Sequence, residues 1–159
     1  MKDKLTDREE MYLAYKLELC KMDGLDGLRG PAEKYLLDVR MTEKYPELAE
    51  WIPIEYDGKE VGFLIITKGK LLKRDEDYRI EESYVKPEYR RKGLMTKAVK
   101  EYLAAHPGKY SLQMMLNNIN SAKFWLPLIG KMVYGNPMLH PGDDGGIETI
   151  DMLFDTEKK

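Results

Sequence analysis

One cysteine, two histidines and three phenylalanines are spread over 159 residues, and no apolar run is long enough to cross a bilayer. A lone Cys20 cannot close an internal disulfide and fits neither a dithiol redox pair nor a zinc spacing, so it reads as a small buried side chain beside a helical stripe. His106 follows an expected helix end, where a cation is favoured. His140 sits in a Pro/Gly-rich stretch with no Cys, Asp or second His at ligand spacing, so no metal site is expected. An excess of positive charge is also missing: Lys+Arg 26 against Asp+Glu 28 gives a formal charge of -2, which argues against a nucleic-acid partner. The first residues, MKDKLTDREE, are charged where a signal peptide needs apolar side chains. These absences describe a soluble, cytoplasmic protein without a membrane or nucleic-acid partner. They leave the oligomeric state open, a homodimer included.

The 159 residues, 43% of them hydrophobic, suit one domain over residues 1–159, with helices in 1–50 and a sheet-based core in 51–159. Thr6-Asp7-Arg8-Glu9 has the spacing of a capping box and opens a helix to about Met22, with Tyr12, Tyr15, Leu19 and Met22 as its apolar stripe. That stripe reads as core. Three glycines between Gly24 and Gly30 form a connector, and Pro31 opens a second helix to about Lys44. Residues 51–56 and 60–67 flank Asp57-Gly58-Lys59, a hairpin signal. The second of these strands is nearly all apolar, as in a sheet covered on both faces. The charged stretch 69–77 reads as an exposed connection. A strand is expected over 78–85, a helix over 94–105, a strand over 110–116, a helix from about Asn120 to Pro127, and strands over 131–135 and 147–154 around a polar loop at 141–146. The class is α+β, a mixed sheet with helices on both faces.

Residues 78–106 carry the chemistry. A strand, the basic turn Arg90-Arg91-Lys92-Gly93 and a helix entered from that turn aim backbone N–H groups and a helix dipole at one point, which suits a phosphate. The glycine leaves room for a ligand at the backbone, and the cations add charge-assisted hydrogen bonds. The net acidic chain confines such a site to this turn.

Val85-Lys86-Pro87-Glu88-Tyr89-Arg90-Arg91-Lys92-Gly93-Leu94 resembles the V-x-P-x-x-R-x-x-G-x-G/A signature of the GNAT (GCN5-related) N-acetyltransferase superfamily. Asn118-Ile-Asn-Ser121-Ala-Lys-Phe124-Trp125 is similar to that family's N-x-x-A/S-x-x-F/L-Y element. The resemblance runs from about Trp51 to the C-terminus. It implies a GNAT-like fold and transfer of an acetyl group from acetyl-coenzyme A, without a metal, to a primary amine of a small molecule or peptide. It implies that backbone around Arg91, Lys92, Gly93, Leu94, Met95 and Thr96 holds the pyrophosphate with Arg90. Tyr84, Val85 and Lys86 would then line the pantetheine, and Asn118, Ser121 and Trp125 would complete the wall.

Two departures stand out. Met95 replaces the second small residue of the signature, where it either crowds the turn or points into the core. Trp125 replaces a tyrosine that in many members protonates the leaving thiolate, and an indole N–H is no practical acid. Both favour the alternative, an acyl-coenzyme A binding module without catalysis. Tyr134 is the candidate replacement acid, with sheet packing as its other reading. Several members carry a carboxylate base at the Glu81 position. By strand alternation Glu81 shares a face with Ser83 and Val85, and Glu82 lies on the other. Exposed strand-edge residues are the other reading of this pair.

Overall fold

The computed structural model describes residues 4–72 and 75–157. Lys73 and Arg74 of the charged connection, and the first three residues of the charged N-terminus, lie outside the described residues. Helix α1, Asp7–Met22, starts on the expected capping box. Glu9 N–H donates to Thr6 Oγ1 at 3.1 Å and Thr6 N–H donates to Glu9 Oε1 at 3.1 Å, satisfying two orphan donors. Helix α2, Ala32–Lys44, follows the glycine connector and buries Leu36 and Val39.

Strands β1, Ala49–Tyr56, and β2, Lys59–Lys68, turn through Asp57 (φ 53°) and Gly58 (φ 77°). Two successive left-handed residues match the strand twist, which is why Asp-Gly stands there. Six consecutive residues of β2, Val61 to Ile66, are buried. Phe63 and Ile65 pack against Tyr12, Tyr15 and Val39 of α1 and α2, while Leu64 and Ile66 pack on the opposite face. The unbroken apolar run is therefore two alternating faces, each with its own cover.

The chain continues as β3 (Tyr78–Val85), α3 (Leu94–Ala105), β4 (Lys109–Met115), α4 (Ile119–Met132), β5 (Met138–Asp144) and β6 (Ile147–Asp155). The sheet order is β1-β2-β3-β4-β6-β5, with β3 and β4 parallel and the other neighbours antiparallel. Helices α3 and α4 cover one face through Val99, Leu103, Trp125 and Ile129, and α1 and α2 cover the other over β1 to β3.

The C-terminal third departs from the expected order. Helix α4 does not end at Pro127 but contains it and runs to Met132. A proline there forfeits one backbone hydrogen bond. The apolar series Phe124, Trp125, Leu128, Ile129 and Met132 continues past it onto the core and outweighs that loss. The expected strand at 131–135 is absent. The edge strand is instead β5, which begins before the stretch read as a polar loop at 141–146 and runs into it, because its backbone pairs with β6 from Met138↔Leu153 to Asp144↔Ile147 whatever its side chains. Tyr134 consequently lies outside the sheet and is 59% exposed.

Among the described glycines Gly62 leaves the least room for a side chain, since a Cβ there would stand 2.3 Å from the Tyr84 carbonyl oxygen and 3.0 Å from Val85 Cα. Gly62→Ala is expected to destabilise the protein by about 1–3 kcal/mol, the range of overpacking. Thermal unfolding checks this, and an unchanged Tm contradicts it.

Candidate active site

The parallel ladder between β3 and β4 is short. It pairs Tyr78 with Tyr110, Arg79 with Ser111 and Ile80 with Leu112, then ends. Beyond it a cleft of about 630 Å³ lies between the end of β3, α1, the turn into α3 and the start of α4. At its mouth Arg91 (φ 64°) and Gly93 (φ 74°) are left-handed, and Gly93 caps α3 without a side-chain hydrogen bond. The first intrahelical bond runs from Lys97 N–H to Gly93 C=O at 3.0 Å. The N–H groups of Leu94, Met95 and Thr96 therefore have no acceptor within the helix, and they sit at its positive end. This is an anion cradle of backbone donors.

Most of the residues expected to hold the coenzyme line this cleft. Tyr84 and Val85 come from β3, Arg90, Arg91 and Gly93 from the turn, Leu94, Met95 and Thr96 from α3, and Asn118, Ser121 and Trp125 from α4. Lys86 and Lys92 do not. Lys86 borders a separate cavity beside the start of α1, and the Lys92 ammonium lies 5.3 Å from the Tyr56 ring centre. Arg90 is spent within the protein: both terminal nitrogens donate to Glu18 of α1 at 2.9 Å, and Nε donates to the Val85 carbonyl at 2.8 Å. The Glu18 hydrogen bonds, more than any other effect, hold its guanidinium above the ordinary arginine range. Arg90 thus fastens α1 to the turn before α3 rather than offering free donors. Met95 packs between two core clusters while bordering the cleft, so its side chain is drawn away from the turn. Asn118 caps α4, its Oδ1 accepting from Ser121 N–H at 3.3 Å. Trp125 is 3% exposed and forms the floor.

The rest of the wall was not legible from sequence. Tyr15, Glu18, Leu19 and Met22 of α1 line the cleft. The spacing of Tyr15, Leu19 and Met22 was read as core, and Glu18 was not read at all. A glutamate inside that stripe was the available signal, because a carboxylate on an otherwise apolar face needs a partner.

The two carboxylates of β3 sit differently from the alternation rule. Ile65 faces Glu82 but Ile66 faces Ile80, so Glu81 is an extra residue in the strand. This bulge brings both side chains to the α1/α2 face. Glu81 Oε2 accepts from Thr67 Oγ1 at 3.2 Å and pairs with Arg79 Nε at 3.0 Å, and Oε1 takes part in neither contact. Glu82 accepts from the Tyr15 hydroxyl and from Lys16 Nζ at 3.0 Å. Burial pushes the Glu82 carboxyl up against the opposing pull of Lys16 and the Tyr15 hydroxyl. Burial, then the Glu82 charge, drives the Tyr15 hydroxyl well above its ordinary value and keeps it protonated. Glu81, Glu82, Tyr15 and Ser83 together border a throat of about 150 Å³ at the point where the strands part. Tyr134 borders neither cleft nor throat. Among the described residues, no group of three metal-ligating side chains converges.

A mixed sheet parting beside a helix N-terminus, with free backbone amides at the mouth, suits a ligand with an anionic end. The sequence model described as the "Acetyltransferase (GNAT) family" matches residues 16–127, and the chain belongs to that family of acetyltransferases. Solved structures share the fold at low identity. An acetyltransferase from Thermus thermophilus is 14% identical with a TM-score of 0.65, covering 92% of this chain and 86% of its own. An N-acetyltransferase from Staphylococcus aureus is 16% identical with a TM-score of 0.63, covering 91% and 95%. The yncA protein of Salmonella typhimurium, solved with its cofactor acetyl-CoA, is 13% identical with a TM-score of 0.57, covering 98% and 94%. No curated protein matches the chain in sequence.

The raised Glu82 carboxyl carries a pH signature. A carboxyl whose folded-state pKa exceeds its unfolded value contributes stability below the unfolded value and loses it as pH rises through the folded one. Relative to the parent, Glu82→Gln is therefore expected to be more favourable at pH 7 than at pH 3.5. Urea unfolding of both proteins at the two pH values checks this, and the opposite trend contradicts it.

Proposed function

We propose that the protein transfers the acetyl group of acetyl-coenzyme A to a primary amine, with the coenzyme held in the cleft and the amine arriving through the throat on the α1/α2 side. The observation that carries this is the run of unsatisfied amides at Leu94, Met95 and Thr96, opening on the cleft where β3 and β4 part. Backbone donors at a helix start suit a pyrophosphate. The apolar side chains of Val85, Leu94, Phe124 and Trp125 suit the uncharged pantetheine arm. The coenzyme supplies the activated acyl carbon as a thioester.

The chain's residues supply position and proton transfer. An amine is an ammonium ion at neutral pH and becomes a nucleophile only on losing a proton. Glu81 borders the throat and keeps Oε1 outside its two contacts, so it is the base that takes that proton, directly or through one water. The new C–N bond forms as the C–S bond breaks, and the leaving thiolate takes up one proton. Trp125 cannot provide it. Tyr15, the phenol shared by cleft and throat, donates its one proton to Glu82 in a hydrogen bond and is held well above its ordinary value, so it lines the site rather than protonating the thiolate, which takes up the second proton lost by the attacking nitrogen. Glu82 and Lys16 fix that phenol in place.

Two measurements test this reading. Acetyl-coenzyme A is expected to raise the Tm, since a ligand bound only to the folded state at roughly a hundred times its Kd contributes about 2.7 kcal/mol. Gly93→Asp places a side chain and a negative charge in the cradle and is expected to abolish the shift. A folded variant that still binds puts the phosphate elsewhere. Glu81→Gln keeps the shape and removes the base, so kcat is expected to fall by roughly 10²–10⁴ with coenzyme binding unchanged. Turnover equal to the parent's across pH removes Glu81 from the mechanism.

A further inference from the structure

The ladder between β3 and β4 ends at Ile80 and Leu112, so Glu81 and Gln113 are the first residues of the two parted strands, and both border the throat. They also share a face. Leu112 and Met114 pack with α3 and α4, which turns Gln113 between them to the α1/α2 side, where the bulge has brought Glu81. The Gln113 carboxamide is oriented by β6. Its Nε2 donates to Asp151 Oδ1 at 3.1 Å and to Thr149 Oγ1 at 3.3 Å, and a carboxylate can only accept, so the NH2 group faces Asp151 and the oxygen does not. Both β6 side chains are buried. Gly142 of β5 packs so closely on them that a Cβ there would stand 2.6 Å from Thr149 Oγ1 and 3.1 Å from Asp151 Oδ1.

This leaves an acceptor without a donor. Gln113 Oε1 has no hydrogen-bond partner among the described residues, and it is not sealed off, since the buried unpaired side-chain atoms among them are Trp51 Nε1 and Glu76 Oε2. We propose that Gln113 Oε1 accepts an N–H of the acceptor amine and thereby selects primary over secondary amines. The inference rests on the acetyl-transfer reading above and deepens it. A primary ammonium carries three N–H protons. Glu81 takes one, the departing thiolate takes a second as the C–N bond forms and the C–S bond breaks, and the third stays on the product amide, donated to Gln113 Oε1. A secondary ammonium has two, and the reaction uses both. Its transfer leaves Oε1 facing an alkyl group, with one hydrogen bond unmade. Asp151 and Thr149 are positioning residues that act through the carboxamide.

The test compares n-butylamine with N-methylbutylamine as acceptors, reading free coenzyme A release under saturating acetyl-coenzyme A. An unmade hydrogen bond corresponds to roughly 5- to 100-fold. The primary amine's kcat/KM is expected to exceed the secondary amine's by this much, and Gln113→Met, which keeps the length and removes the oxygen, is expected to shrink the ratio at least about fivefold. If that variant does not fold, the double variant Gln113→Met with Asp151→Leu replaces it, since exchanging both partners for apolar groups leaves no carboxylate without its amide donor. A ratio near one in the parent overturns the assignment, and so does a ratio unchanged in the folded variant, which would trace the preference to the bulk of the extra methyl. Gln113 is the only glutamine in the chain, so its side-chain NH2 signals are unambiguous in protein labelled at glutamine nitrogen. With coenzyme A bound, n-butylamine is expected to shift them, and signals that stay in place overturn the contact. Shifted signals without turnover of either amine support the contact and contradict acetyl transfer instead.

Discussion

The site depends on the parting of two parallel strands. While β3 and β4 are paired, each satisfies the other's backbone, and no ligand can pass between them. Once the ladder ends at Ile80 and Leu112, the edges facing each other must find other partners or water. The same divergence sets the start of α3 above the gap, so that amides with no helical acceptor look into it. An extended, partly apolar ligand with an anionic end answers both needs at once. The antiparallel strands on either side keep the gap from closing, because β2 holds β3 as far as Val85 and β6 holds β4 as far as Met115.

Helix α1 turns an open gap into a walled cleft. Its Tyr12 and Tyr15 rings are anchored on Phe63 of β2, with centroids 5.7 and 5.6 Å apart, and Tyr15 also meets Tyr84 at 5.5 Å. Buried aromatic pairs of this kind fix a helix more firmly than exposed charges do. At the mouth, the bidentate Arg90–Glu18 pair and the Arg90 hydrogen bond to Val85 tie the same helix to the turn before α3. Partly exposed, that pair contributes modest stability. Its value is geometric, setting the width of the cleft between α1 and the start of α3. Deeper in, Glu82 binds Tyr15 and Lys16, so the strand that carries Glu81 is fastened to α1 at the level of the throat.

Local signals were read correctly from sequence wherever local chemistry dictates local structure. Thr6 and Glu9 can form a capping box only at a helix start, Asp57-Gly58 fits a tight hairpin, and Gly93 ends the basic turn from which α3 is entered. What escaped depends on tertiary partners. Pro127 reads as a helix end until the apolar series beyond it is seen to have a core to pack on. Strand β5 carries no strand-like side chains and exists because β6 offers it a ladder. The Glu81 bulge inserts one residue without leaving a mark in composition, yet it moves a carboxylate to the other face. Arg90 and Lys92 look alike in the turn. Only the fold reveals that one clamps Glu18 and the other lies over Tyr56.

The most direct measurement is a titration of the isotope-labelled protein with acetyl-coenzyme A, followed amide by amide. Coenzyme held by the opening of β3 from β4 and by the start of α3 gives its largest shifts at Gly93, Leu94, Met95 and Thr96 and at Ser83, Tyr84 and Val85, with β5 and α2 little changed. Shifts concentrated on β5 or α2, with the α3 amides unmoved, would contradict it.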